Sequence, residues 1–173
     1  EEIIYDIGSF DDVASLQKYI STKFESENII YAISIDGYSE VIVDKNDSTF
    51  RSHNSYLEFT LNNETTVERT SKRVWVWLEG METEEDQTDD KIQIDGIVEA
   101  EIVGSTDSYK KEIIEPLIRL GDCRFIVQGI VEITLNGDLI STMDYGDGTC
   151  DEVAKLKTTE GEVDVDLAEH KIK

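Results

Sequence analysis

Three groups of residues in this chain could do chemistry, and each suggests a different kind. Arg73, Trp75 and Trp77 stand at alternate positions in the segment Lys72-Arg-Val-Trp-Val-Trp-Leu-Glu79. In an extended strand they project to one side, and Val74, Val76 and Leu78 to the other. If the valine side is core, two indoles and a guanidinium form a face suited to stacking on a glycan ring or docking a protein partner. The competing expectation is a central strand buried on both sides, with the tryptophans under a helix or a second sheet. Asp144, Asp147 and Asp151 cluster with Gly146 and Gly148. Turn carboxylates and backbone carbonyls suit calcium. The glycines, however, fall where an EF-hand loop needs ligands, and Asp, Gly and Thr are also ordinary turn residues. Cys123 and Cys150 complete the inventory.

Catalytic constellations are sparse. The two histidines are His53, in the polar stretch Arg51-Ser-His-Asn-Ser55, and His170, near the C-terminus. There is no Gly-x-Ser-x-Gly elbow, no zinc-binding histidine pair and no phosphate-cradling glycine loop. If the cysteines are bonded to each other, neither can be a nucleophile. Carboxylates abound, but nothing singles out an acid/base pair. The expectation is a protein that is not an enzyme and needs no cofactor, with calcium as the alternative.

Charge narrows the partners. Against 39 acidic residues there are 16 basic ones, a formal net charge of −23. Nucleic-acid phosphates and anionic membrane surfaces would be repelled. The plain reading is a solvated, self-repelling surface that favours solubility. No apolar run approaches the roughly 20 residues of a membrane helix. The chain opens on Glu1, which suggests an N-terminal segment removed by export processing or by the design of the expressed chain.

These residues must be positioned by local structure, and the periodicity says which. Over Ser9 to about Phe24, Phe10, Val13, Leu16, Ile20 and Phe24 recur at helical spacing. Ser9 can cap that helix, and Asp11 and Asp12 suit its first turn. From Ile29 onward the period is two. Eleven candidate strands follow, from Ile29–Asp36 and Glu40–Asp44 to Asp151–Lys157 and Glu162–Leu167. The expected turns include Asp36-Gly37, Asn62-Asn63, Asn136-Gly137, Gly146-Asp-Gly148 and Glu160-Gly161. Glu82–Asp90 reads as a solvated acidic loop. The expected fold is mainly β: one domain over 1–173, with a helix-containing segment at 1–28 docked on an antiparallel sandwich or curved sheet over 29–173.

The stretch between the cysteines reads as one hairpin around Asn136-Gly137. A two-residue loop places Cys123 directly opposite Cys150. A three-residue loop pairs Leu135 with Leu139 and Val131 with Met143, and lays Tyr145 over Gly129. It is the better apolar match. Both registers leave the cysteines within about one residue of opposition, and Gly146-Asp-Gly148 reads as a bulge that shifts the final alignment. A Cys123–Cys150 disulfide is therefore expected, worth roughly 3 kcal/mol in the chain-entropy model. One such pair fits an exported protein.

Asp122-Cys-Arg-Phe-Ile-Val-Gln-Gly-Ile-Val-Glu-Ile133 and Asp144-Tyr-Gly-Asp-Gly-Thr-Cys-Asp151 also carry a family likeness. With Trp77-Leu-Glu-Gly80, Thr88-Asp-Asp90, Ile94-Asp-Gly96 and Glu115-Pro-Leu117 upstream, roughly residues 70–168 resemble an uncharacterised family of secreted, predicted lipoproteins of Bacteroides and related bacteria. The resemblance implies an outer-membrane-anchored or extracellular envelope location, with a lipid anchor on the removed N-terminal segment. The expected role is that of a non-catalytic structural or interaction protein of the envelope, with a glycan or an envelope protein as candidate partner. The resemblance supplies no catalytic motif, and the N-terminal third departs from the pattern.

Overall fold

The computed structural model describes residues 32–43, 49–61, 64–83 and 85–168. Among the described residues nine strands follow one another: β1 Ala32–Val43, β2 Phe50–Leu61, β3 Thr66–Glu79, β4 Lys91–Ile102, β5 Ser108–Leu120, β6 Ile126–Leu135, β7 Asp138–Asp147, β8 Val153–Thr158 and β9 Gly161–Asp166. They form a single antiparallel sheet whose spatial order is the chain order. Of the sandwich and the curved sheet, the described residues make the one-sheet arrangement. The helix expected over residues 9–24 lies outside the described residues.

Pairing along each hairpin decides which side chains share a face, because partners across an antiparallel ladder point the same way. Arg51, Trp75 and Ile94 lie abreast, and so do Leu57, Arg69 and Ala100. Trp75, Ile94 and Leu117 continue the first row into β5, and Val131, Met143 and Leu156 carry the face across β6, β7 and β8. We call this the inner face. Phe59, Arg69, Ser71, Ile92, Val98, Leu117, Val131 and Ala154 all lie on it and are all buried. The outer face takes the alternate residues, among them Glu58, Glu68, Asp95, Glu99, Glu112 and Glu132.

The strands are longer than their sequence suggests. Asp36-Gly37 is not a turn; it lies within β1, with Gly37 opposite Leu57. The polar stretch 51–55 is not a loop but the first half of β2, fully paired on both sides. Cross-strand pairing outweighs the weak local β propensity of Ser, His and Asn there. Pro116 lies within β5, and the register of β5 shifts on both sides around it. Opposite, Gly129 adopts φ of +112°. A Cβ there would meet the Pro116 carbonyl oxygen at 2.4 Å. Only glycine lets β6 approach so closely.

The β6–β7 hairpin realises both registers in turn. Asn136 (φ 54°) and Gly137 (φ 86°) form a two-residue turn in which both residues have positive φ, the arrangement that matches strand twist. Leu135 therefore faces Asp138, and Thr134 faces Leu139. One irregularity later, Val131 pairs with Met143 and Ile130 with Asp144. A second shift before Gln128 and Asp147 brings the cysteines together: Cys123 and Cys150 are disulfide-bonded with Cα atoms 5.8 Å apart.

Candidate functional site

The inner face sinks into a cavity of about 360 Å³ over β3 to β7. Trp75 and Trp77 from β3, Ile92 and Ile94 from β4, Ile113 and Leu117 from β5, Ile126 and Val131 from β6 and Tyr145 from β7 line it. Arg73, Lys111 and Arg119 stand among these apolar groups. The β3 strand thus sends its tryptophans and Arg73 to the inner face, while Val74, Val76 and Leu78 point outward, with Leu78 46% exposed. Trp75 and Trp77 are half-buried.

Two contacts fix the indoles. The Arg51 guanidinium lies over the Trp77 ring, 4.4 Å from its centroid. The His53 ring tilts at 40° against Trp75 with centroids 6.0 Å apart. A cation stacked on an indole in this way stabilises by about 0.5–2 kcal/mol, more as water is excluded. Arg51 also holds a buried Nε with no hydrogen-bond partner. His53 itself hydrogen-bonds the Ser39 hydroxyl.

The two faces differ in charge as sharply as in polarity. Arg51, Arg69, Arg73, Lys111 and Arg119 are on the inner face, and the acidic side chains that reach it stand at its margins: Asp138, opposite Leu135 beside the β6–β7 turn, and Glu79, at the end of β3. Most carboxylates of the strands are outside. Glu58 and Glu68 face each other directly across β2 and β3. Beside them, loss of solvent and then the charges of Glu68, Glu58 and Asp36 raise the pKa of the Tyr56 phenol above its ordinary value. Lys110–Glu112 at 2.6 Å and Lys155–Glu162 at 3.3 Å are local ion pairs on exposed side chains, worth little each.

The aspartates considered for calcium do not converge. Asp144 accepts a hydrogen bond from the Gly146 amide at 2.9 Å. Asp147 accepts from the Thr149 amide and hydroxyl, which hold its carboxyl below the usual carboxylate range. Asp151 accepts from the Val153 amide at 3.1 Å. Each closes its own turn, and among the described residues no group of three or more potential ligands gathers at one point. The acidic loop is similarly self-satisfied. Thr83 donates to the Gly80 carbonyl and to Asp89, and Thr88 donates to Asp86. Its end is tied to the β5–β6 turn, where the Gly121 amide donates to the Asp90 carbonyl at 2.7 Å.

Sequence reasoning found Arg73, Trp75 and Trp77 but missed Arg51, Lys111, Arg119 and the isoleucines facing them. The missing signal was the parity of acidic residues. In Lys91-Ile-Gln-Ile-Asp-Gly-Ile-Val-Glu-Ala-Glu101 the carboxylates keep to one alternation and the apolar residues largely to the other. No family model, curated protein or solved structure matches this chain.

Proposed function

We propose that this protein is a non-catalytic, exported binding module whose inner face takes up a partner presenting apolar side chains framed by carboxylates. The carrying observation is the partition of charge across the sheet. In a chain of net charge −23, the charged groups that line this apolar cavity among the described residues are the cations Arg73, Lys111 and Arg119. Guanidinium and ammonium groups beside desolvated apolar surface favour an anionic partner over a neutral one. The lining also favours a polypeptide over a glycan. Among the described residues it offers two indoles but no carboxylate, amide or aliphatic hydroxyl to accept and donate the hydrogen bonds that orient a sugar. The disulfide supports a place outside the reducing cytosol.

The chain's two tryptophans both lie on this face, so intrinsic fluorescence reads it without a label. An acidic amphipathic helical peptide of unrelated sequence is titrated into the full chain and into its Leu16→Asp variant. The variant is included because residues 9–24 carry an apolar stripe of the partner's own kind. A saturable change in emission in at least one chain is expected, weakened by Arg119→Glu and by salt. No saturable response in either chain, or an equal response to a basic amphipathic peptide, overturns the reading.

A further inference from the structure

We propose that Asn136 is a site of spontaneous covalent modification, deamidation through a cyclic imide, and that the fold restrains the reaction by clamping the side chain it consumes.

Asn136-Gly137 is the one Asn-Gly step in the chain, and both residues are exposed to water. Gly137 has no side chain to shield its amide nitrogen, and nothing lies within 4 Å of where a Cβ would stand. That nitrogen, after giving its proton to water, can attack Asn136 Cγ. A C–N bond forms, the Cγ–Nδ2 bond breaks, and Nδ2 leaves as ammonia with a proton taken back from water. Water then opens the five-membered ring at either carbonyl, giving aspartate or isoaspartate. Water is the only co-reactant, and nothing is oxidised or reduced.

The β4–β5 turn holds both atoms that must move. The Ser108 amide donates to Asn136 Oδ1 at 2.7 Å, and Asn136 Nδ2 donates to Asp107 at 3.2 Å. Asp107 is itself fixed, because the Ser105 hydroxyl donates to its other carboxylate oxygen at 2.7 Å. The Asn136 amide donates to the Ser108 carbonyl at 2.8 Å, which carries the β5–β6 ladder one residue further. Ring closure has to swing Cγ toward the Gly137 nitrogen and expel Nδ2, so both side-chain bonds must open. Neither product restores the clamp. Aspartate sets a second carboxylate where an amide donor faced Asp107. Isoaspartate adds a methylene to the main chain of a two-residue turn that depends on φ of 54° and 86°. The reaction therefore unfastens the β6–β7 turn from the β4–β5 turn, and does so irreversibly.

The test follows residue 136 by peptide mapping with mass spectrometry, during incubation of the full chain at mildly alkaline pH. The folded protein should convert roughly tenfold more slowly than the same chain unfolded in urea, as two hydrogen bonds that must open together imply. Asp107→Ala removes one arm of the clamp and should speed conversion of the folded chain several-fold. Asp107→Asn keeps an acceptor for Nδ2 and should stay near the wild-type rate. In aged protein the Ser108 amide should exchange hydrogen faster than in fresh protein. An Asn136 that stays intact in the unfolded chain refutes the site. Equal rates in folded and unfolded wild type, or a folded Asp107→Ala chain no faster than wild type, refutes the clamp. Should Asp107→Ala fail to fold, the wild-type comparison decides alone.

Discussion

Removing the Cys123–Cys150 bond should cost more than truncating a buried valine such as Val131. The perturbation is the double variant Cys123→Ala/Cys150→Ala. The bond closes a loop of sequence separation 27. In the chain-entropy model a loop of that length restricts the unfolded chain by about 12 cal/mol/K, or about 3.6 kcal/mol at 25 °C. Cys123 is 5% exposed, so its replacement adds a small loss of buried contact. With a urea m-value of about 2 kcal/mol/M, the midpoint should fall by roughly 1.8 M. The assay is urea unfolding followed by tryptophan emission, compared between the oxidised protein and the variant at fixed pH. The native hairpin is independently held by the Asn136-Gly137 turn and the β6–β7 ladder, so the variant should fold to the same sheet. A midpoint shift below about 0.4 M with an unchanged m-value would refute the reasoning. It would mean that the open end of the hairpin is already constrained in the denatured chain.

Other expectations follow from particular contacts. Val131 is 1% exposed; Val131→Ala should cost about 2 kcal/mol in denaturant unfolding, from two lost methyl equivalents plus a residual cavity. Gly129→Ala should cost at least that much, since its φ of +112° and the Pro116 carbonyl at 2.4 Å leave no room for a Cβ. Glu58 faces Glu68, so Glu68→Lys should stabilise by about 0.5 kcal/mol, raising Tm by about 1–2 °C, and spectrophotometric titration should show the Tyr56 phenol ionising at lower pH. Asp147 has its carboxyl held down by the Thr149 hydroxyl and then the Thr149 amide. Its contribution is therefore present above the unfolded value of about 3.9 and lost as pH falls through the lower folded value. The stability gap between wild type and Asp147→Ala should close on acidification and be constant from pH 5 to 7.

The all-β class, the β6–β7 hairpin and the disulfide were legible because each rests on local chemistry. Asn-Gly requires two positive φ values in succession, and few other dipeptides supply them. The cysteines were placed by counting from that turn. Strand length was not legible where pairing, not composition, sustains extension. Arg51-Ser-His-Asn-Ser55 has no apolar alternation, yet it is held between β1 and β3. Gly37 reads as a turn in isolation but faces Leu57 in the middle of a ladder. The site was half legible. Alternation within β3 put Trp75 and Trp77 together, but Arg51 and Arg119 come from strands 24 residues before and 44 residues after Trp75 and join it only through the registers of β2–β3 and β4–β5. Nor could sequence tell which side of β3 was inner. Val74 and Val76 are as apolar as the indoles, and the choice was made by neighbours: Ile92, Ile94 and Leu117 stand beside the tryptophans, whereas Gln93 and Asp95 stand beside the valines.

The charge partition also bears on why the sheet tolerates so large a net charge. Carboxylates confined to one face of a sheet lie in water, where each repulsion is screened within about 10 Å at ordinary salt. Had they alternated onto the inner face, each would have been desolvated beside Ile92, Leu117 or Val131 at a cost of several kcal/mol. Cations there are a different matter. Arginine buries its stem along apolar surface, and its guanidinium can rest on an indole, as Arg51 does on Trp77. Such a face is most stable when its cations meet anions in a shielded setting. The outer carboxylates project from the opposite side of the same strands. On the proposed binding role, a partner laid across the sheet brings its anions to this face. This is why charge reversal at Arg119 is a sharper probe of the inner face than truncation. Arg119→Ala leaves a neutral site, whereas Arg119→Glu sets a carboxylate against the incoming ones. The larger loss of peptide affinity should therefore follow from Arg119→Glu, and the difference between the two variants should shrink as salt is added.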